Sequence, residues 1–105
     1  MTDRIEQIRK LLARDEGDLF LNYSLGMELA SAGRNEEAAG QFQRCIELDA
    51  NYLAAYAEAG KAYRAAGLLE QARAAFQAGL GLAGRQGERH IQDFLGQQLE
   101  SLGEK

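Results

Sequence analysis

Displaced by 34 residues, this sequence matches itself. Leu19 falls on Leu53, Gly26 on Gly60, Ala32 on Ala66 and Gly33 on Gly67. Glu36 falls on Glu70, Ala38 on Ala72, Phe42 on Phe76, Gln43 on Gln77 and Leu48 on Leu82. These are nine identities in the 34 pairs from 19/53 to 52/86, well above chance. Such a repeat constrains the fold more than composition can. One unit cannot bury its own apolar face, so neighbouring units must stack. Each unit carries two apolar patterns at helical spacing, which predicts two helices per unit and no strand.

The repeated residues have a packing logic of their own. Gly26 and Gly60 fall in mid-helix, where glycine costs about 1 kcal/mol relative to alanine. A helix accepts that cost where another backbone must come close. Ala38 and Ala72 are the small partners on the following helix. Phe42 and Phe76 lie four residues further on, on the same face, and fill the crevice between the helices. Gly33 and Gly67 stand just past the first helix of each pair, where a left-handed residue commonly ends a helix. Asn35 is the expected N-cap of the next helix. Leu68 offers no such cap.

A period of about 34 residues lies beside the ankyrin value of about 33, and the residues separate the two: each unit carries two helical patterns, and the ankyrin Thr-Pro-Leu-His signature is absent. The first unit reads Leu25-Gly26, Leu29, Ala38, Phe42 and Cys45. The second reads Tyr56, Ala59-Gly60, Tyr63, Ala72, Phe76 and Gly79. Over residues 19–86 the chain resembles the tetratricopeptide repeat family. That family's pattern is an aromatic, a Leu-Gly pair, Tyr, Ala, Phe, Ala and Pro at fixed offsets. The first unit departs from it with Asn22 at the aromatic place and Leu29 at the Tyr place. Neither unit has the closing proline; Ala50 and Gly84 stand there.

Both ends extend the pattern. Ile5, Ile8, Leu11 and Leu12 form one helical face, which Thr2 or Asp3 can cap. Shifted by 34, Ile8 meets Phe42 and Leu12 meets Ile46, so residues 1–18 read as the second half of a preceding repeat. Ile91, Phe94, Leu95, Leu99 and Leu102 form another face. Residues 87–105 read as a capping helix with one residue inserted near Arg85-Gln86-Gly87. In it Ile91, Phe94, Leu95 and Leu102 are expected to be mostly buried. The expected domain is one all-α, right-handed superhelix of antiparallel helix pairs over residues 1–105, with repeats at 19–52 and 53–86. Its six helices are placed near 3–14, 19–32, 35–48, 53–66, 69–83 and 88–102. Two repeats with a helix at each end reach the roughly three stacked units such arrays need.

Composition excludes several classes. Twelve basic and 16 acidic residues give a net charge of −4, unlike a nucleic-acid binder. No apolar run approaches a membrane span, and no signal-peptide core is visible, so a cytoplasmic protein without membrane contact is expected. Gly79, Gly81 and Gly84 spell G-x-G-x-x-G but end a helical pattern instead of opening one, so no phosphate site is expected. His90 with Glu88 and Asp93 gives too few metal ligands. The single cysteine, Cys45, reads as a buried, inert thiol. No cofactor and no enzymatic activity are expected.

The resemblance implies a protein-interaction module that binds a peptide or partner segment in a concave groove lined by the first helix of each pair. The groove residues it implies are Phe20, Tyr23, Ser24, Met27 and Ser31 in the first repeat. The second repeat supplies Ala54, Ala57, Glu58, Lys61 and Arg64, and Arg89 can join them. Phe20, Tyr23 and Met27 could equally be core against the N-terminal helix. The family's clamp for chaperone C-termini uses Lys and Asn where Tyr23, Met27 and Glu58 stand, so that clamp is absent. Residues 19–52 carry a net −3 and residues 53–86 a net +2, which suits an amphipathic, partly acidic segment. The alternative is a self-associating scaffold that stacks through its repeat ends. The start at Met1 and the polar tail Gly103-Glu104-Lys105 lean away from a fragment of a larger protein.

Overall fold

The computed structural model describes residues 3–103. Six helices follow one another: α1 (Arg4–Arg14), α2 (Leu19–Ser31), α3 (Asn35–Leu48), α4 (Leu53–Ala65), α5 (Leu69–Gln86) and α6 (Arg89–Leu102). No strand occurs among the described residues. Each helix packs chiefly on its neighbours in sequence, giving a layered body of 44 × 27 × 19 Å.

The turns come in two designs. From α2 to α3 and from α4 to α5, a glycine with positive φ closes the helix: Gly33 at 77° and Gly67 at 80°. The next residue's N–H then reaches back five places, from Arg34 to Leu29 O and from Leu68 to Tyr63 O, both at 2.9 Å. This satisfies carbonyls that a helix end leaves bare. It also uses Arg34 as the boundary residue. Asn35 is therefore the first helical residue and not the N-cap, and α3 has no side-chain cap.

The turns from α1 to α2 and from α3 to α4 use aspartates instead. Asp3 caps α1 by accepting from the Glu6 N–H at 2.8 Å, and Asp18 caps α2 by accepting from the Leu21 N–H at 2.9 Å. Thr2, the other candidate cap, lies outside the described residues. Asp15 and Asp49 end α1 and α3 at equivalent places. Their equivalent one repeat later is Ala83, which ends nothing. Helix α5 runs on to Gln86, beyond the expected stop at 83, and closes only at Gly87 with φ 72°. Gly79, Gly81 and Gly84 lie inside this helix, not in a loop.

Packing within each pair rests on one contact. A methyl group on Gly26 would stand 2.6 Å from the Phe42 ring, and one on Gly60 would collide with the Phe76 ring. Phe42 and Phe76 are wholly buried, as are Ala38 and Ala72. Phe42 and Ala38 belong to a core with Ile8, Leu25, Leu29, Ala39, Ala59, Ala62 and Ala75. Phe76 and Ala72 belong to a second core with Leu53, Leu82, Ala83 and Leu95.

Asn22, at the family's aromatic place, is buried at 3% exposure. Its Nδ2 donates to the carbonyls of Glu16 at 3.0 Å and Asp18 at 2.8 Å, and its Oδ1 accepts from Gln41 Nε2. Tyr56, one repeat later, donates from its hydroxyl to Ala50 O at 2.7 Å. Ala50 is the equivalent of Glu16. Two unlike side chains therefore tie the same turn to the following helix, and Asn22 adds a link to α3.

Helix α6 departs from expectation in detail. Leu95 is fully buried, and Ile91 and Leu102 are half-buried, but Phe94 is 36% exposed. The register explains this. Leu53 and Arg89 open α4 and α6, and they are 36 residues apart, as are Gly60 and Gly96. Two residues are thus added to the 34-residue period, not one. Leu95-Gly96 then repeats Ala59-Gly60 and Leu25-Gly26, and Phe94 takes the outward place of Glu58 and Ser24.

Overpacking the closest contact should be costly. Ala72→Leu is expected to lower unfolding stability by about 1–3 kcal/mol, read from urea denaturation. An unchanged midpoint would contradict the tight approach of α4 and α5.

Candidate functional site

Helices α2, α4 and α6 meet in sequence along one side of the body. On α2, Phe20, Ser24, Met27 and Ser31 share a face at helical spacing. Ala54, Glu58, Lys61 and Ala65 hold the equivalent places on α4, and His90, Phe94, Gln97 and Ser101 those on α6. Between α2 and α4 this side sinks into a hollow of about 330 Å³. Met27, Ala30 and Ser31 line one wall and Glu58, Lys61, Ala62 and Ala65 the other, with Asn35 beside them.

The structure brings some of the expected groove residues together and commits others elsewhere. Met27, Glu58 and Lys61 share the hollow, and Met27 is 39% exposed. Phe20 is 74% exposed at the start of α2. Nothing internal accounts for so open an aromatic, so Phe20 is not core against α1. Lys61 Nζ lies 3.4 Å from Glu58, an exposed pair one helical turn apart that holds its members only weakly.

Tyr23 sits deeper than a reading residue would. Its ring is tilted against Phe42 at 5.5 Å and Tyr52 at 5.2 Å between centroids. Burial and then the nearby Glu58 charge push its phenol up to about 12, so it stays neutral. Ala57 is half-buried among the side chains packed around Leu95. Arg64 donates to Gln98 Oε1 and Ser101 Oγ of α6, each at 2.6 Å. It stands where Ala30 stands one repeat earlier, and Gln98 and Ser101 stand where Ala62 and Ala65 do. The joint between α4 and α6 is therefore filled by an arginine, while the joint between α2 and α4 is left open by an alanine. Lys61 and Arg64 consequently do not converge on one anion. Arg89 is exposed at the first residue of α6, one place before the outward face.

Phe94 is the residue the sequence pattern misplaced. Read through Leu95-Gly96 it belongs to the outward face, and that pair was the available signal. Phe20, Met27 and Phe94 give this side three of the molecule's exposed large apolar side chains.

The opposite side has a smaller hollow of about 300 Å³, with Gln43 and Ile46 of α3 facing Gln71, Ala74, Ala75 and Ala78 of α5 over Tyr56 and Tyr63. No group of His, Cys, Asp and Glu able to hold a metal occurs among the described residues. Among the described residues no helix is long and apolar enough to cross a membrane. Cys45 is wholly buried, and burial pushes its thiol up to about 11, away from a reactive thiolate.

No family model matches the sequence. A TPR repeat-containing protein of Pseudomonas aeruginosa is 39% identical over 88 residues, covering 84% of each chain. A Bordetella parapertussis protein of known solution structure superposes with a TM-score of 0.82 at 24% identity, over 97% of this chain and 89% of that one. PcrH, solved in complex with the chaperone-binding region of PopD, superposes at 0.85 with 22% identity, over 93% of this chain and 74% of its own. A tetratricopeptide repeat domain protein of Salinibacter ruber gives 0.72 at 23% identity, over 84% and 92%.

The Cys45 environment is directly testable. At about pH 8, where an exposed thiol of pKa ~8.5 is already reactive, a thiol reagent should label the native protein only as fast as it opens, and at once after denaturation. Rapid labelling of the native protein would contradict the burial.

Proposed function

This chain belongs to the TPR repeat proteins, and we propose that it is a non-catalytic interaction module that binds a protein segment in the groove between α2 and α4. The observation that carries this reading is the open hollow walled by Met27, Ser31, Glu58 and Lys61, with Phe20 exposed on the same face. Methionine adapts to irregular apolar shapes, and an exposed aromatic offers a large contact area. PcrH, which shares the fold, is known with the chaperone-binding region of PopD seated on it, which supports a segment-binding role for such a body.

The segment that fits is mainly apolar. It carries one or two aliphatic or aromatic anchors for Met27 and Phe20, and an acidic group within reach of Lys61. Because Arg64 is held by α6, the acidic preference rests on Lys61 alone and sets orientation more than affinity. Phe94 can extend the apolar face toward the C-terminal end.

Selection from a displayed random-peptide library tests the reading. Enriched peptides should carry an apolar anchor. Phe20→Ala and Met27→Glu should each weaken them by roughly tenfold or more, the loss expected of a central anchor. Lys61→Glu should weaken acidic members and reduce their salt sensitivity. Gln71→Glu, on the opposite side, should leave binding unchanged. Peptides that ignore the first two changes and respond to the last would move the site to the other hollow.

A further inference from the structure

The joint between α4 and α6 repeats the joint between α2 and α4 with different walls. Counted by 34 as far as α5 and by 36 from α4 to α6, Ala30 becomes Arg64, Asn35 becomes Leu69 and Glu58 becomes Phe94. Where the first joint has an amide and an acid, the second has two large apolar side chains. Leu69 holds the place from which Asn35 borders the first hollow, and it is 48% exposed. Phe94 is exposed on the outward face of α6.

Across this apolar-edged joint lies Arg64. Its guanidinium donates to Gln98 Oε1 and Ser101 Oγ, each at 2.6 Å, and both acceptors are neutral. A carboxylate takes two parallel N–H bonds from a guanidinium and holds it more strongly than an amide or hydroxyl oxygen does. The bond to Ser101 is exposed, so solvent reaches the latch. Lys61, three residues back on α4, brings a second cation to the same joint and is engaged only in its exposed pair with Glu58.

We infer that the joint between α4 and α6 is a second seat for the bound segment, closed at rest by Arg64 and opened by an acidic residue that lies next to an apolar one. The inference rests on the segment-binding reading above and extends it by one repeat. The carboxylate draws the guanidinium off Gln98 and Ser101, and the apolar side chain takes the space between Phe94 and Leu69. Charge complementarity selects this occupant, since Arg64 and Lys61 face an α6 wall of neutral Gln98 and Ser101. A neutral apolar residue leaves the bonds of Arg64 in place. An acid alone gains an exposed ion pair, which is worth little. The two together compensate for opening the joint. Arg64 thereby decides which segments use the whole groove: short apolar ones stop at Met27 and Lys61, and those with an acid beside an apolar residue continue to α6.

The smallest probe of this chemistry is an apolar anion, phenylbutyrate, set against its uncharged amide, phenylbutyramide. NMR titration of the full chain follows the Arg64 Nε–H, the Gln98 side-chain amide and the backbone of Leu69, Phe94 and Ser101. The anion should shift these groups together and bind roughly fivefold or more tighter than the amide. Ser101→Ala removes one bond that holds Arg64 and should tighten the anion by roughly threefold or more. Arg64→Ala opens the joint outright and should abolish the preference, the uncharged amide then binding at least as well as the anion. Native helicity of each variant is checked by circular dichroism, and Arg64→Gln, with the same expected loss of preference, replaces Arg64→Ala should that variant unfold. Equal binding of anion and amide to the parent overturns the inference, as does a preference that survives the loss of Arg64, or silence of these groups up to the solubility of the probe. Shifts confined to Met27, Ser31 and Lys61 overturn it too, while leaving the first hollow as a site. Failure of that hollow shows separately, in selected peptides that ignore Phe20→Ala and Met27→Glu.

Discussion

The ring of a phenylalanine lying on a bare glycine backbone sets the geometry of each helix pair. A side chain at Gly26 or Gly60 would hold the helices apart, and the alanines on the inner face of the second helix could not close onto the first. Once Phe42 and Phe76 are seated, Ala38 and Ala72 close to full burial and the next helix finds a continuous surface. The outward face of α2 and α4 is the remainder of this packing. It holds what the core did not take, so a methionine and a phenylalanine exposed there stand out.

The two joints on that face differ in what fills them. At the first joint Ala30 leaves a hollow. At the second, Arg64 occupies the equivalent place and is tied down by Gln98 and Ser101. An arginine counted as a recognition residue thus works as filler between α4 and α6. Its guanidinium is held by Gln98 and Ser101 of α6. This confines the open part of the groove to α2 and α4.

The fold was legible because period, glycine and phenylalanine all point to one arrangement, and six helices form where the pattern places them. What misled were places where the turns depart from the strict repeat. The end of α5 depends on an aspartate that Asp15 and Asp49 supply and Ala83 does not. Asn35 loses its capping role because the turn closed by Gly33 already uses Arg34. Phe94 looked like core because its neighbours are apolar, whereas the two residues added before α6 turn it outward. Of the candidate site, Phe20, Met27, Glu58 and Lys61 were named through the family resemblance, which places the first helix of each pair along the groove. The burial of Tyr23 and the tethering of Arg64 were not legible, because both depend on side chains from other helices.

Amide chemical-shift mapping of a bound segment tests the groove most directly. Shifts concentrated on the outward residues of α2 and α4, from Phe20 through Ser31 and from Ala54 through Ala65, with α5 near Ala74 and Ala78 silent, are the expected result. Shifts centred on the α3 and α5 side, with Met27 and Lys61 unmoved, would contradict it.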